Sequence, residues 1–238
     1  MSAFLYGVAL QWKLDLRNKG VLLTYYVVPL VFFAFMGGIF SSINPNAKDT
    51  LIQSMTVFGV TMGAILGASA PLVELYGSEI KKAYKVGGIP LWVAAINNFI
   101  SALVHLLMMS LVIFCIAPLA FDAKSPPSLG LYFTSLAIFI ISSLAIGTVL
   151  GLLIKSASKL TMAAQFIFLP SIMLAGIMFP ANMLPKALET LGMIFPATWG
   201  FKLMISEHFD VRLLMPLVVI MIVSVCVSGY KLSKISLE

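Results

Sequence analysis

Charge is what this sequence has least of. Only 10% of its 238 residues are Asp, Glu, Lys or Arg, against roughly 25% in an ordinary soluble domain. With 61% hydrophobic residues and a mean hydropathy of +1.05, the chain reads as an integral membrane protein. Cysteine is nearly missing too. Cys115 and Cys226 both lie inside apolar runs and read as small core residues, which excludes a disulfide framework and a cysteine-based metal centre. No phosphate-binding loop with its glycines, lysine and serine or threonine occurs, so this chain is not expected to hydrolyse nucleotides by itself. There is no His-Glu-x-x-His pair and no Gly-x-Ser-x-Gly elbow. No catalytic residue, metal or cofactor is therefore assigned to it.

The centres of the apolar runs also lack Lys, Arg, Asp and Glu, whereas a proton-coupled carrier wants carboxylates there. His105 is the one ionisable group at that depth. It reads either as a functional group or as a neutral histidine hydrogen-bonded within the bundle, with no evident charged partner. Asn97, Asn98, Gln165 and Ser171 read as interhelical hydrogen-bonding groups. The net charge of +6 does not point to nucleic acid, because the basic residues sit in short clusters between apolar runs, as topology determinants do. Lys13, Asp15, Arg17 and Lys19 interrupt the first 20 residues, so no cleavable signal peptide is expected.

What is present is apolar length. A helical span needs about 20 apolar residues, and the runs 21–40, 51–75, 91–119, 129–154, 160–179 and 213–230 predict six of them. The fold expected is all-α, a single polytopic membrane domain over residues 1–238. Residues 2–19 precede the first run. Leu5, Val8 or Ala9, Trp12 and Leu16 recur at helical spacing, with Gln11, Lys13, Asp15 and Arg17 on the other side. This predicts an interfacial elbow helix within residues 1–20, with Trp12 at headgroup depth and Lys13 and Arg17 facing water, or else a polar leader to the first span. Small residues mark helix contacts: Gly59, Gly63 and Gly67 in the second run, and Ser143, Gly147 and Gly151 in the fourth. The 14 methionines admit two readings, adaptable packing or a soft wall for an apolar cargo.

The fifth run is followed by an unusual stretch. After Gly176 the chain reads Ile-Met-Phe-Pro, and Pro180 stops the apolar run at Phe179. Pro185 suits the first position of a short helix. Leu184, Leu188, Leu191 and Ile194 fall on one face of it, Lys186, Glu189 and Thr190 on the other, and Pro196 closes it. Residues 180–208 are thus expected to form an outer segment that dips back toward the lipid. Six spans place both termini on one side, together with ten of the fifteen basic residues against five on the other. The side with the excess is cytoplasmic by the positive-inside rule. The charged interval 74–90 then faces inward and residues 180–208 face outward.

An entry helix, six spans, a charged segment between the second and third, and a fifth span ending in Gly-x-x-Phe-Pro, then Leu-Pro and a later Pro, resemble the permease of ABC-2 type exporters. Gly176, Phe179, Pro180, Leu184, Pro185 and Pro196 match the outer-hairpin pattern of that family. The resemblance implies two copies of a separate ABC ATPase that binds ATP and Mg, and a second permease, identical or homologous. It implies a bacterial plasma membrane as location. It also maps a coupling segment onto residues 76–90, with Glu79 and Pro90 in the family's places and Ser78 and Lys81 where arginine and glycine are commoner. Glu79, Lys81, Lys82, Tyr84 and Lys85 are then the candidate ATPase contacts, or the lysines are only cytoplasmic anchors. In the family the first, second and fifth spans line the path and the partner interface, which nominates Phe32, Phe35, Met36, Phe166, Met173 and Phe179 as wall residues. The activity implied is export of an apolar or amphipathic cargo such as a drug, antimicrobial peptide or lipid-linked compound. The ATPase pair would push on the elbow and coupling segment, and the outer hairpin would act as a lid. Two other classes stand beside it: a non-transporting immunity or assembly subunit of the same fold, and a membrane-embedded enzyme acting on lipids or peptides.

Overall fold

In lipid an unpaired backbone amide has no water to turn to, so a chain this apolar satisfies its amides within helices. The computed structural model of the protein describes residues 3–43, 48–178 and 183–237, and among these no strand occurs. Six helices are long and apolar enough to cross a membrane: Lys19–Ile39, Leu51–Gly77, Leu91–Phe121, Leu129–Leu153, Ala157–Leu174 and Val211–Ile235. They are spans one to six below. The helix Ala3–Arg17, the elbow, precedes them, and Asn18 breaks the chain between elbow and span one. Its side-chain oxygen accepts from the amides of Gly20 and Val21, the ordinary way a helix start is capped.

Span two is the axis of the bundle. Its apolar window is 83% buried, against 11% for span six. From Leu51 to Ser69 every residue except Leu66 is buried. Spans one, three, four and five and a later helix, Pro196–Ile205, pack around it. Close approach is permitted by glycine. A Cβ on Gly59 would meet the Met109 side chain of span three at 2.5 Å, and one on Gly67 would meet the Tyr25 ring of span one at 2.7 Å. Gly63 faces both Tyr25 and Leu106. On span four, Gly147 lies against the backbone carbonyl of Ala64, and Gly151 against Leu72 and the Ser69 carbonyl. Spans one and two each carry a single π-helical turn, Leu23–Val27 and Gly63–Gly67, and the Tyr25 ring of the first sits against the two glycines that bound the second. Such turns widen a helix locally.

Span five stops at Leu174, short of the expected residue 179. The cause is Gly176, whose φ of 85° lies in the left-handed region that a residue with a Cβ avoids. Gly176→Ala is expected to lower stability by about 1–2 kcal/mol, read as an earlier thermal transition in detergent. Two short outer helices follow. The first, Lys186–Gly192, has Pro185 at its N-cap, one place earlier than expected. The second begins where the sequence predicted a stop: Pro196 occupies the first turn of the helix Pro196–Ile205. Proline both ends one helix and starts another, because its fixed φ and missing N–H suit a first turn. This second helix is buried, with Gly200 against the Phe139 ring of span four. Thr198 donates to the Gly192 carbonyl and Trp199 to that of Met193, both at 2.6 Å, which ties the two outer helices together. The loops joining spans one to two and three to four are clasped by Lys124–Asp49 at 3.0 Å and Lys48–Asp122 at 3.6 Å.

Candidate functional site

The charged interval begins where span two ends. A short helix, Ile80–Val86, follows Ser78, and Gly87, Gly88 and Pro90 turn the chain into span three. Glu79 and Lys82 form an i,i+3 ion pair with both side chains largely exposed. A pair so wet contributes well under 1 kcal/mol, so it leaves both charges available to another protein at little expense in stability. Tyr84 is half-buried and borders a recess of about 830 Å³ between the elbow and the start of span three. Lys81 does not share that surface. It lines a different recess with Lys155 and Lys231. The side chain of Lys85 is outside those described.

The elbow packs along span three, and of the polar side expected to face water Asp15 turns inward instead. Leu5, Leu10, Leu14 and Leu16 are exposed, whereas Asp15 is only 2% exposed. The reason is the solvent. Where the surroundings are lipid, apolar side chains lose nothing by facing out, and polar ones find partners only inside. Lys13 and Arg17 remain exposed. Trp12 lies flat on the His105 ring, centroids 3.8 Å apart and planes within 4°. Tyr25 stacks on the His105 ring at 5.2 Å, and the Tyr26 hydroxyl meets His105 Nδ1 at 2.7 Å. Asp15 Oδ2 accepts from Ser101 at 2.6 Å, and Oδ1 accepts from Gln11 at 2.8 Å.

His105 Nε2 stands 3.9 Å from Asp15 Oδ2, near enough to attract and too far for a hydrogen bond. In the tautomer whose Nδ1 accepts from the Tyr26 phenol, the ring proton is on Nε2 and faces the carboxylate. Burial pushes the Asp15 carboxyl above its ordinary value of 3.8, and the bonds from Ser101 and Gln11 pull it the other way. His105 therefore has an ionisable neighbour that its own helix does not supply. That neighbour lies on another helix 90 positions earlier, where no spacing rule reaches. The one available signal was an aspartate in a helix bound for lipid.

The six nominated wall residues divide. Phe32 stacks on Phe58 of span two at 3.9 Å, and Phe58 meets Phe168 of span five at 5.6 Å. Phe32 and Met36 thus belong to the packed interior that joins spans one, two and five. Phe35, Phe166 and Met173 are exposed at 68%, 75% and 57%. Phe166 lines a shallow recess of about 630 Å³ on the outer face of span five, with Ser158, Thr161, Met162, Gln165, Leu169 and Pro170. No charged residue borders it. Span two, interior along most of its length, offers no such face. Phe179 and Pro180 lie outside the described residues. On and just after the short outer helix, Leu188, Leu191 and Ile194 are exposed, so none of the described residues covers this apolar face. Among the described residues no cluster of His, Cys, Asp and Glu is arranged to hold a metal ion.

Residues 3–209 match the sequence description of the ABC-2 type transporter family. A curated relative, ABC transporter G family member 8 of Dictyostelium discoideum, is 26% identical over 211 residues, or 84% of this chain. The match covers 32% of that relative, so the chain spans about a third of its length.

Proposed function

The chain belongs to the ABC-2 type transporter family as a multi-pass membrane subunit, and from that premise we propose that it is the permease of an ATP-driven exporter. Its cargo is apolar or amphipathic and passes along the outer face of span five, past Phe166, Met173 and Phe35 of span one. The observation that carries this reading is the recess beside Phe166, which is open and bordered by no charged residue. A path without fixed charge suits a cargo that itself lacks strong charge, because unpaired ions in lipid are costly. A second permease, identical or homologous, faces this one across spans one and five.

The energy comes from two copies of a separate ATPase, which hold the nucleotide and its Mg. The termini and residues 74–90 are cytoplasmic, where the basic residues concentrate. Glu79, Lys82 and Tyr84 meet the ATPase, and the elbow carries the push into span three through Asp15, Trp12 and His105. Of the outer segment, the short helix Lys186–Gly192 dips back toward the lipid and closes the exit, with Leu188, Leu191 and the following Ile194 as its lipid face.

Reconstitution with the ATPase in vesicles tests the coupling. Glu79→Ala and Lys82→Glu are expected to lower transport per ATP hydrolysed by tenfold or more. Thermal stability should change by less than about 1 kcal/mol, since the pair is exposed. Unchanged transport in both variants removes the coupling assignment. Phe166→Ala should alter which cargoes compete for export while ATP hydrolysis persists, and an unaltered competition profile removes span five from the path.

A further inference from the structure

The recess that draws in Lys81 also brings together Lys155 and Lys231. The three come from separate parts of the chain: the helix after span two, the turn between spans four and five, and the last turns of span six. No carboxylate lines the recess, and none of the three lysines has an ion-pair partner among the described residues. Glu79, the nearest acid in sequence to Lys81, is engaged by Lys82. The Tyr76 hydroxyl is spent on the Leu91 carbonyl at 2.6 Å, so the free donors are ammonium groups. Cations gathered this way repel one another unless an anion sits among them. The volume, about 260 Å³, admits a phosphate ester and little more.

A second recess shares two walls with the first. It is an apolar groove of about 220 Å³ between spans three, four and six, bordered by Phe99, Ala145, Val225 and Leu232. Thr148 in the groove lies one helical turn before Leu152 in the cationic recess, and Leu232 follows Lys231. A cationic pocket at the ends of three spans with an apolar groove one turn deeper matches the two halves of a phospholipid. Basic pockets between spans are sites where anionic headgroups settle.

We propose that this pair of recesses is a binding site for an anionic phospholipid, with the phosphate between Lys81, Lys155 and Lys231 and an acyl chain in the groove beside Phe99 and Val225. The site depends on the chain spanning a membrane and not on the direction or cargo of transport. It also assigns Lys81 to lipid and not to the ATPase.

Two double variants of the full chain test it by removing equal charge from the same two segments. Lys155→Gln with Lys231→Gln empties the recess of two cations, and Lys159→Gln with Lys234→Gln removes two that do not line it. Lipid retention is read by native mass spectrometry after exposure to mixed phosphatidylglycerol and phosphatidylcholine. The wild type and the second variant should retain phosphatidylglycerol preferentially, and the first should lose about tenfold of that preference. Glycerol phosphate at millimolar concentration should fail to displace the lipid, because it leaves the groove empty. Equal retention of both lipids by the wild type, or the same loss in both variants, overturns the proposal. Displacement by glycerol phosphate assigns the recess to a soluble phosphate ester and overturns the lipid.

Discussion

With Asp15 replaced by alanine, the elbow is expected to come away from span three, whereas the asparagine variant keeps it in place. Alanine leaves the buried Ser101 hydroxyl and the half-buried Gln11 amide without the carboxylate that accepts from both. An unsatisfied buried hydroxyl such as that of Ser101 costs about 1–3 kcal/mol. Asparagine keeps an oxygen for Ser101 and removes the charge that burial disfavours. The report comes from Trp12, with the other tryptophans, Trp92 and Trp199, changed to phenylalanine. Unstacking from His105 exposes the indole and shifts its emission. Identical spectra for the two variants would show that the carboxylate does not hold the elbow.

Acidity bears on the same contact. A raised folded-state value means that the docked elbow binds its proton more tightly than the free chain does. The contribution of Asp15 to docking is thus fully present below its ordinary value of 3.8 and is lost as pH rises through the folded value. The groups facing it are His105 from span three and Tyr25 from span one, with Tyr26 behind the imidazole, while Lys13 and Arg17 on its own helix point away. Elbow docking, measured by the same Trp12 emission, should loosen with rising pH in the wild type and by less in the Asp15→Asn variant.

The second large effect is expected at Gly147. A methyl group there runs into the Ala64 carbonyl, which is backbone and cannot swing aside. Spans two and four must separate to admit it, at a loss of about 3 kcal/mol or more. Gly130→Ala on the same span is the control, since nothing lies within 4 Å of the added carbon. Thermal unfolding in detergent should drop sharply for the first and hold for the second. Equal behaviour would mean that the close crossing of these helices contributes little to stability.

Apolar length made the spans readable. The run 91–119 became Leu91–Phe121 and the run 129–154 became Leu129–Leu153, because the ends are set by proline, serine and charge close by in sequence. Span five was misjudged because a single φ at Gly176 ends it, while the residues beyond are as apolar as those before. The helix Pro196–Ile205 was missed because Pro196 was read as a stop, and a proline gives the same letter whether it ends a helix or begins one. Asp15 was placed on the water side of the elbow with Lys13 and Arg17, because helical spacing alone does not tell which polar residue finds a partner on another helix. Of the candidate site, the exposed pair Glu79–Lys82 was legible as a local cluster, and the contacts of Asp15 were not, since they join distant segments.

The burial of span two carries a consequence for how the protein is made. The Thr56 hydroxyl of span two meets the Tyr132 hydroxyl of span four at 3.0 Å, and span four is synthesised after it. Until span four arrives, the Thr56 hydroxyl lacks that partner. A chain cut short after span three is therefore expected to hold span two less firmly than one that includes span four.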